Sequence, residues 1–249
     1  MKKILYLSLA TLMVLVVSCK KDQSSTPSGW DGVTPMPEAV DLGFPSGLKW
    51  ASFNLGAGKP EEYGDYYAWG EIAPQESYSW STYVYATGAS SRLTKYCPEE
   101  KDNFWDATAR PEGPDGEVIL LPSDDVAHVK LGGKWRMPTE DDFNELLALM
   151  TNDDYTWEKW VSVTNDNGDE VHGLRITRKS TGATLFLPAA GLRGNGEFLR
   201  YDVYGYFWSS SVNAASPYFA KLIFFNSSDA DLTNYDRSYG LSIRPVCKD

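Results

Sequence analysis

The clearest helical pattern lies in the middle of the chain, over residues 139–150. Its apolar residues recur at i, i+3, i+4 and i+7, which places them on one face of a helix. These residues are Phe143, Leu146, Leu147 and Met150. Thr139 and Asp142 have the spacing of a capping box, and the acidic residues 140–142 suit the positive end of a helix dipole. We therefore predict one helix with a single buried face.

Short runs of apolar and aromatic residues, separated by turn-forming residues, dominate the rest of the chain. The runs that we interpret as strands are 39–42, 48–54, 66–69, 157–164, 171–179, 183–189, 206–210, 218–225 and 241–246. Turns at 165–169 and 180–182 predict that three of these strands form a meander. A second, short helix should begin near Ser123 and end near Gly132. Residues 71–120 have no regular pattern, which predicts long loops. Many strands and few helices indicate an α+β fold.

The first nineteen residues have the order of a secretory signal. Two lysines precede an apolar run over 4–17, which is shorter than the roughly 20 residues of a membrane-spanning helix. The sequence Val16-Val17-Ser18-Cys19 then resembles the lipobox of bacterial lipoproteins, in which the cysteine receives a diacylglycerol and becomes the first mature residue. We predict a signal peptide over 1–18 and lipidation at Cys19. An ordinary secretory signal with a coincidental cysteine is the alternative.

Residues 19–37 are polar, rich in Pro and Ser, and without hydrophobic periodicity. We predict a lipidated, flexible tether there and a single domain over 38–249. Lys20-Lys21-Asp22 resembles the charged export signals of surface-displayed lipoproteins in gut anaerobes. Lipid chains at one terminus anchor a protein without a membrane span. We therefore predict an outer-membrane lipoprotein whose lipid holds it at the cell surface.

The charge balance excludes one class of partner. The chain has 34 Asp and Glu against 23 Lys and Arg, a formal net charge of −11 at pH 7. Because binding to nucleic acid phosphates needs a basic surface, we predict no nucleic acid partner. The 15 Tyr and 9 Trp are a high aromatic content, which suits both a strand-rich fold and a binding surface made of Tyr and Trp.

Two cysteines remain once Cys19 is assigned to lipid. Cys97 and Cys247 could form one disulfide in an exported protein, or both could stay as thiols. Sequence spacing does not decide between these alternatives, because a disulfide depends on the geometry of the two residues.

One turn is rich in oxygen ligands. It contains Asp166, Asn167, Asp169 and Glu170, which are residue types that calcium prefers. A solvated turn, in which Asx side chains bond to nearby backbone amides, accounts for the same residues. We therefore predict no metal site and no cofactor.

Several motifs, in order, resemble the Fibrobacter succinogenes major paralogous domain family. The matching segments are 40–57 (VDLGFPSGLKWASFNLGA), 60–71 (PEEYGDYYAWGE), 123–140 (SDDVAHVKLGGKWRMPTE), 187–193 (LPAAGLR), 205–211 (GYFWSSS), 220–224 and 237–246. This resemblance covers nearly the whole predicted domain. It implies a C-type-lectin-like fold, with twisted antiparallel sheets, one or two helices, termini that lie close together, and long loops that display a ligand surface.

The same fold serves the formylglycine-generating oxidases, whose Trp-Arg-Leu-Pro-Thr type of motif resembles Trp135-Arg136-Met137-Pro138-Thr139. Those enzymes hold copper with a pair of cysteines late in the domain, whereas this chain has only Cys247 near its end. The tripeptides of calcium-dependent lectins are also absent from the sequence. The paired carboxylates Asp124/Asp125 and Asp141/Asp142 lie at predicted helix starts, where capping accounts for them. We therefore predict that the protein is not an enzyme.

The C-terminal part of the domain instead has the residue types of a recognition surface. Tyr, Ser and Asn give contact area and adaptable hydrogen bonds at low entropic cost, as in antibody loops. The candidate ligand-binding residues are Asn213, Ser216, Tyr218, Ser227, Asp229, Asn234, Tyr235 and Tyr239. We predict that they bind a protein or glycan ligand.

Two other functions are compatible with the sequence. The same residue types arise when Asn codons are mutated in the variable proteins of diversity-generating retroelements, which also include lipoproteins of this fold. A fibre-tip adhesin or structural subunit is the other alternative, since lipoprotein precursors are used to assemble such fibres.

Overall fold

The computed structural model describes residues 28–248, so the predicted signal peptide, Cys19 and residues 19–27 of the predicted tether lie outside the described residues. The strands are β1 Ala39–Val40, β2 Leu48–Ala51, β3 Tyr66–Tyr67, β4 Tyr155–Thr164, β5 Glu170–Arg178, β6 Thr184–Pro188, β7 Leu192–Gly194, β8 Glu197–Leu199, β9 Gly205–Val212, β10 Phe219–Phe225, β11 Ala230–Asp236, β12 Leu241–Ser242 and β13 Val246–Lys248. The α-helices are α1 Val126–Leu131 and α2 Glu140–Ala148, with short 3-10 helices at Glu99–Phe104 and Leu149–Thr151. The predicted sheet-rich α+β class is confirmed.

A five-stranded sheet with the order β11-β10-β9-β12-β3 forms the centre of the domain. Successive side chains of a strand point to opposite faces, and all eight residues of β9 are buried. Trp208 and Leu222 belong to the hydrophobic core on one face, whereas Phe207 and Ile223 belong to the core on the other. The sheet therefore separates two cores and is covered on both faces.

A second sheet joins the two ends of the described chain. Its strand order is β1-β2-β13, and all neighbours are antiparallel. Trp50 of β2 is fully buried and lies opposite both Val40 and Val246. The turn between β1 and β2 closes where the amide of Gly47 donates to the carbonyl oxygen of Phe44 at 2.9 Å. The first and last strands are therefore held by the same central strand.

The predicted meander is confirmed as the three-stranded sheet β4-β5-β6. In the turn between β4 and β5, Oδ1 of Asn165 accepts hydrogen bonds from the amides of Asn167 and Asp169, at 3.0 and 2.9 Å. This Asx turn accounts for the oxygen-rich turn in the way that its sequence indicates.

The capping box of α2 is confirmed. The hydroxyl of Thr139 accepts from the amide of Asp142 at 3.2 Å, and the Asp142 carboxylate accepts from the amide of Thr139 at 2.8 Å. The predicted buried face is wrong at its last position. The α-helix ends at Ala148 and tightens into a 3-10 turn, which buries Leu149 and leaves Met150 38% exposed.

The short helix α1 begins one residue after Asp125, whose carboxylate accepts from the amide of His128 at 3.0 Å. The cap is therefore Asp125 rather than Ser123. Gly132 ends the helix at φ +64°, and a side chain there would collide with the backbone of Gly29. This close approach explains why glycine occupies the position.

Residues 28–37 correct the predicted extent of the tether, because they pack against α1. The amide of Asp31 donates to the carbonyl oxygen of Lys130 at 3.0 Å, and the amide of Gly133 donates to that of Ser28 at 2.8 Å. Thr34 is buried, and Met36 packs against one of the cores. Residues 28–37 are therefore part of the domain, although the sequence predicted a tether there.

Sequence patterns failed to predict β11 and the β7–β8 hairpin. β11 pairs with β10 over seven residues, from Ala230 opposite Phe225 to Asp236 opposite Phe219. Because it is an edge strand, most of its side chains are half-buried or exposed, and its polar sequence resembles that of a loop. Within residues 28–248, no helix is both long enough and apolar enough to span a bilayer.

Candidate ligand-binding surface

The eight candidate residues do not form one surface. Asn213, Ser216 and Tyr218 lie in the turn between β9 and β10, whereas Ser227 and Asp229 lie in the turn between β10 and β11. These turns are at opposite ends of β10, which has seven residues. At about 3.3 Å per residue, the two turns are about 20 Å apart.

The polar residues of these turns stabilise the turns by accepting hydrogen bonds from nearby backbone amides. Oδ1 of Asn213 accepts from the amides of Ala215 and Ser216, at 3.0 and 3.3 Å. In the other turn, the Asp229 carboxylate accepts from the amide of Ala230 at 2.9 Å. The sequence pattern identified turn-forming residues correctly but could not distinguish them from ligand-binding residues.

Two further candidates are partly covered by the domain. Tyr218 is half-buried, and its ring centroid lies 5.3 Å from that of Phe104 and 4.2 Å from that of Phe219. Asn234 lies opposite Lys221, and its Oδ1 is buried without a hydrogen-bond partner. Asn234 and Tyr235 are successive residues of β11, so they point to opposite faces of the sheet.

Tyr235 and Tyr239, by contrast, come together with residues that the sequence did not single out. The rings of Tyr235 and Tyr239 meet edge to face at 5.1 Å, and Tyr235 lies 6.0 Å from Tyr206, which in turn stacks on Tyr204 at 5.5 Å. Three of these tyrosines are half-buried, while Tyr206 is 4% exposed. Together with Arg200, these four tyrosines form what we call the tyrosine surface.

Arg200 supplies the positive charge of the tyrosine surface. Its guanidinium lies 5.3 Å from the centre of the Tyr204 ring, and its Nη1 donates to the hydroxyl of Tyr206 at 3.3 Å. This hydrogen bond raises the pKa of Arg200, and burial raises the pKa of the Tyr206 and Tyr239 hydroxyls. At neutral pH, Tyr206 and Tyr239 are therefore uncharged phenols, which can donate or accept hydrogen bonds, and Arg200 is a cation beside them.

The β7–β8 hairpin and the segment after it position the tyrosine surface. A side chain at Gly194 would collide with the ring of Tyr239, so that ring packs directly on the backbone of β7. After the hairpin turn, Arg200 and Asp202 have positive φ angles of 58° and 53°. Non-glycine residues rarely adopt this conformation, and such residues are concentrated at functional sites. No sequence pattern marked this segment as part of a site.

A buried arginine anchors the segment that contains Tyr239. Arg237 is fully buried, and its Nη1 and Nη2 donate to the carbonyl oxygens of Tyr96 and Lys95, both at 3.0 Å. Its guanidinium also lies 5.1 Å from the Trp69 ring. Burial lowers the pKa of Arg237. This side chain therefore fixes the end of β11 to the long loop region.

The paired carboxylates have structural partners. Asp125 caps α1 and accepts from the amide of Met137, while Lys95 and Tyr96 both donate to Asp124. Burial raises the pKa of Asp125. At Asp124, hydrogen bonds outweigh the effect of burial and lower the pKa. Capping therefore accounts for Asp125, and an ion pair with hydrogen bonds accounts for Asp124.

The motif Trp135-Arg136-Met137-Pro138-Thr139 connects α1, α2 and β13. The guanidinium of Arg136 binds both carboxylate oxygens of Asp142, at 2.6 and 3.2 Å, and its backbone pairs with Val246 of β13. Burial of Asp142 acts to raise its pKa, but the ion pair with Arg136 and the hydrogen bonds to Thr139 outweigh burial and lower that pKa. The motif therefore has the structural role that its position before a helix indicates.

Cys97 does not form the disulfide with Cys247 that the sequence left open. It is a buried free thiol, whose Sγ lies 3.3 Å from the carbonyl oxygen of Lys101. Burial raises the pKa of Cys97 to about 11, which keeps the thiol protonated and unreactive at neutral pH. Cys247 lies on β13 opposite Lys49, in the sheet that joins the ends of the domain.

Comparison with known proteins gives no assignment. No protein-family model, curated protein or solved structure matches this chain.

Proposed function

We propose that this protein is an outer-membrane lipoprotein that displays a C-type-lectin-like domain at the cell surface and binds a protein or glycan ligand through the tyrosine surface. The observation that carries this proposal is the clustering of Tyr204, Tyr206, Tyr235 and Tyr239 around Arg200. The proposal keeps Tyr235 and Tyr239 from the sequence prediction. It replaces the other six candidates with Arg200, Tyr204 and Tyr206.

The chemistry of the tyrosine surface supports recognition. Tyr and Arg are enriched among residues that contribute most to binding energy at interfaces. A tyrosine also offers a large contact area for only two side-chain torsions, so ordering it costs little entropy. Here the rings already pack on one another and on Gly194, so part of that cost is met before a ligand arrives.

Three features support the proposed C-type-lectin-like fold. The family motifs occur in the expected order, β2 pairs with both β1 and β13, and the domain has a long loop region over 71–120 with one 3-10 helix in it. Residues of the closing motif, including Arg237 and Arg244, are fully buried in the framework. Lipidation at Cys19 would anchor the protein to the membrane and leave the folded domain free to present the tyrosine surface. We propose no catalytic role for this protein.

A binding experiment tests this function. The purified full-length chain in neutral detergent is applied to glycan and protein arrays, and any ligand found is measured with the double variant Tyr235→Ala/Tyr239→Ala. Losing two central aromatic contacts should weaken binding by about 30-fold or more, since such residues contribute about 2 kcal/mol or more. The matched control is Ser227→Ala/Asp229→Ala, at the far end of β10, which should bind normally. Unchanged binding by the tyrosine variant would refute the proposed surface.

A further inference from the structure

A cleft lies beside the tyrosine surface and has a different character. It is enclosed by the loop before β3, the turn between β4 and β5, and the segment after β8. Its volume is about 390 Å³, which falls in the range of small-ligand sites. The residues that line it are Glu61, Glu62, Tyr63, Asn165, Asp169, Glu170, Val171, Tyr201 and Asp202.

Two tyrosines form the aromatic walls of the cleft. Tyr63 is half-buried, whereas Tyr201 is 57% exposed. Burial, with added effects from Asp202 and Tyr201, raises the pKa of Tyr63 to about 12. Phe198 of β8 and Val203, two residues after Tyr201, are also more than half exposed. Exposed apolar side chains therefore flank Tyr201 in sequence on both sides.

The charge of the cleft is negative. Five of its nine lining residues are acidic, and none is Lys or Arg. The ammonium of the neighbouring Lys59 pairs with Asp166, outside the lining. At the cleft edge, the Asp202 carboxylate accepts a hydrogen bond from the backbone amide of His172 at 3.1 Å, and Nδ1 of His172 lies 2.9 Å from the same oxygen. A ligand that enters the cleft therefore meets phenol rings and carboxylates, which both favour a cation.

The carboxylates are too dispersed to favour a single metal ion. Within residues 28–248, no three acidic, histidine or cysteine side chains come together in a way that could hold a metal ion. Calcium needs six to eight oxygen ligands around one point. Charges that lie apart along a cleft instead match a flexible molecule that carries several separated positive charges.

We propose that this cleft binds alkylammonium groups carried on a flexible chain, either lysine side chains of an extended peptide or a free polyamine. The carboxylates pair with the ammonium groups, and Tyr63 and Tyr201 contact the ammonium groups and the methylene segments between them. This binding site is separate from the tyrosine surface and does not depend on the function proposed for that surface.

Isothermal titration calorimetry of the purified full-length chain in neutral detergent tests this proposal. The two probes are spermine and an N-acetylated tetralysine amide, at about 20 mM salt so that screening does not hide the attraction. We expect at least one probe to bind with a defined stoichiometry, and the comparison of the two identifies the source of the ammonium groups. If neither probe binds, the proposal is wrong.

The test variants are Glu61→Gln/Glu170→Gln and Tyr201→Ala. Neither glutamate side chain has a hydrogen bond within the described part of the chain, and Tyr201 is largely exposed, so the fold should survive, which circular dichroism verifies. Each variant should weaken probe binding by about five-fold, because exposed ion pairs and cation–π contacts are each worth up to about 1 kcal/mol.

The matched control is Glu99→Gln/Glu100→Gln, which removes the same two charges from an exposed 3-10 helix elsewhere. It should bind the probe as the unmodified chain does. An equal loss in this control would show attraction to the net charge alone and would overturn the site, as would displacement of the probe by micromolar calcium. Tyr235→Ala/Tyr239→Ala should retain probe binding, so a failure of either proposal can be recognised separately.

Discussion

At the scale of single residues, two buried arginines show how the framework is held. Arg244 is fully buried, and its guanidinium donates to Oδ1 of Asn54 at 2.8 Å and to the carbonyl oxygens of Ala51 and Phe186, at 3.0 and 2.8 Å. These acceptors are neutral, and burial lowers the pKa of Arg244 to about 9. The planar fork of the guanidinium joins β2, β6 and the loop after β2, and no other side chain has that geometry.

Arg244→Lys should therefore be destabilising despite the conserved charge. An ammonium cannot reach all three acceptors, and each buried acceptor left without a donor costs about 1–3 kcal/mol. We expect the free energy of unfolding to fall by about 3 kcal/mol, measured by urea denaturation. Arg110→Lys is the control, because Arg110 is half exposed in an ion pair with Glu112. Equal stability of the two variants would contradict the structural role of Arg244.

At the scale of elements, the N-terminus of α2 gives a sharp prediction. Thr139→Ala removes the hydroxyl that accepts from the amide of Asp142, and loss of such a cap costs about 1 kcal/mol. Thr151→Ala is a matched control at the other end of the helix, where the hydroxyl bonds only to the carbonyl oxygen of Ala148. Thermal denaturation should show a clear loss of stability in the first variant and little change in the second.

The elements also show what the sequence could and could not predict. The capping box, the Asx turn at Asn165 and the meander depend on residues close in sequence, and all were predicted. The strand β11 was not, since its edge position leaves polar side chains on it, and Met150 was assigned to a buried face because a 3-10 turn after Ala148 could not be foreseen. The eight candidate residues do not lie on one surface, for a related reason. The length of β10 decides which loops lie close together in space. A local sequence pattern contains no information on such distances.

At the scale of the whole molecule, buried tyrosines make the stability of the fold decrease at alkaline pH. Burial raises the pKa of Tyr63 from 10.0 to about 12 and raises those of Tyr66, Tyr67, Tyr83, Tyr85 and Tyr96 further. In the unfolded chain, phenols lose their protons near pH 10, whereas the folded chain retains them. The stability contributed by these groups is therefore complete below pH 10 and is lost as pH rises through the folded pKa values.

We expect unfolding by base to begin above about pH 10, with phenolate formation and loss of structure occurring together. Ultraviolet difference absorbance reports the phenolates, and far-ultraviolet circular dichroism reports the sheets. If the buried phenols ionised near pH 10 while the circular dichroism stayed unchanged, the burial of these tyrosines would be wrong.

The pairing of β2 with β13 has a consequence for how the chain acquires its structure. The sheet that joins the ends of the domain needs Val246 and Lys248, and the fully buried Arg244 lies just before them. Contacts between residues so distant in sequence form slowly, after the loop between them has been closed. Until the ribosome has made residue 248, the growing chain lacks the strand that completes this sheet. The chain therefore cannot complete this sheet until its synthesis is nearly finished, which suits the export that we propose, because a translocation channel threads a chain that has not finished folding.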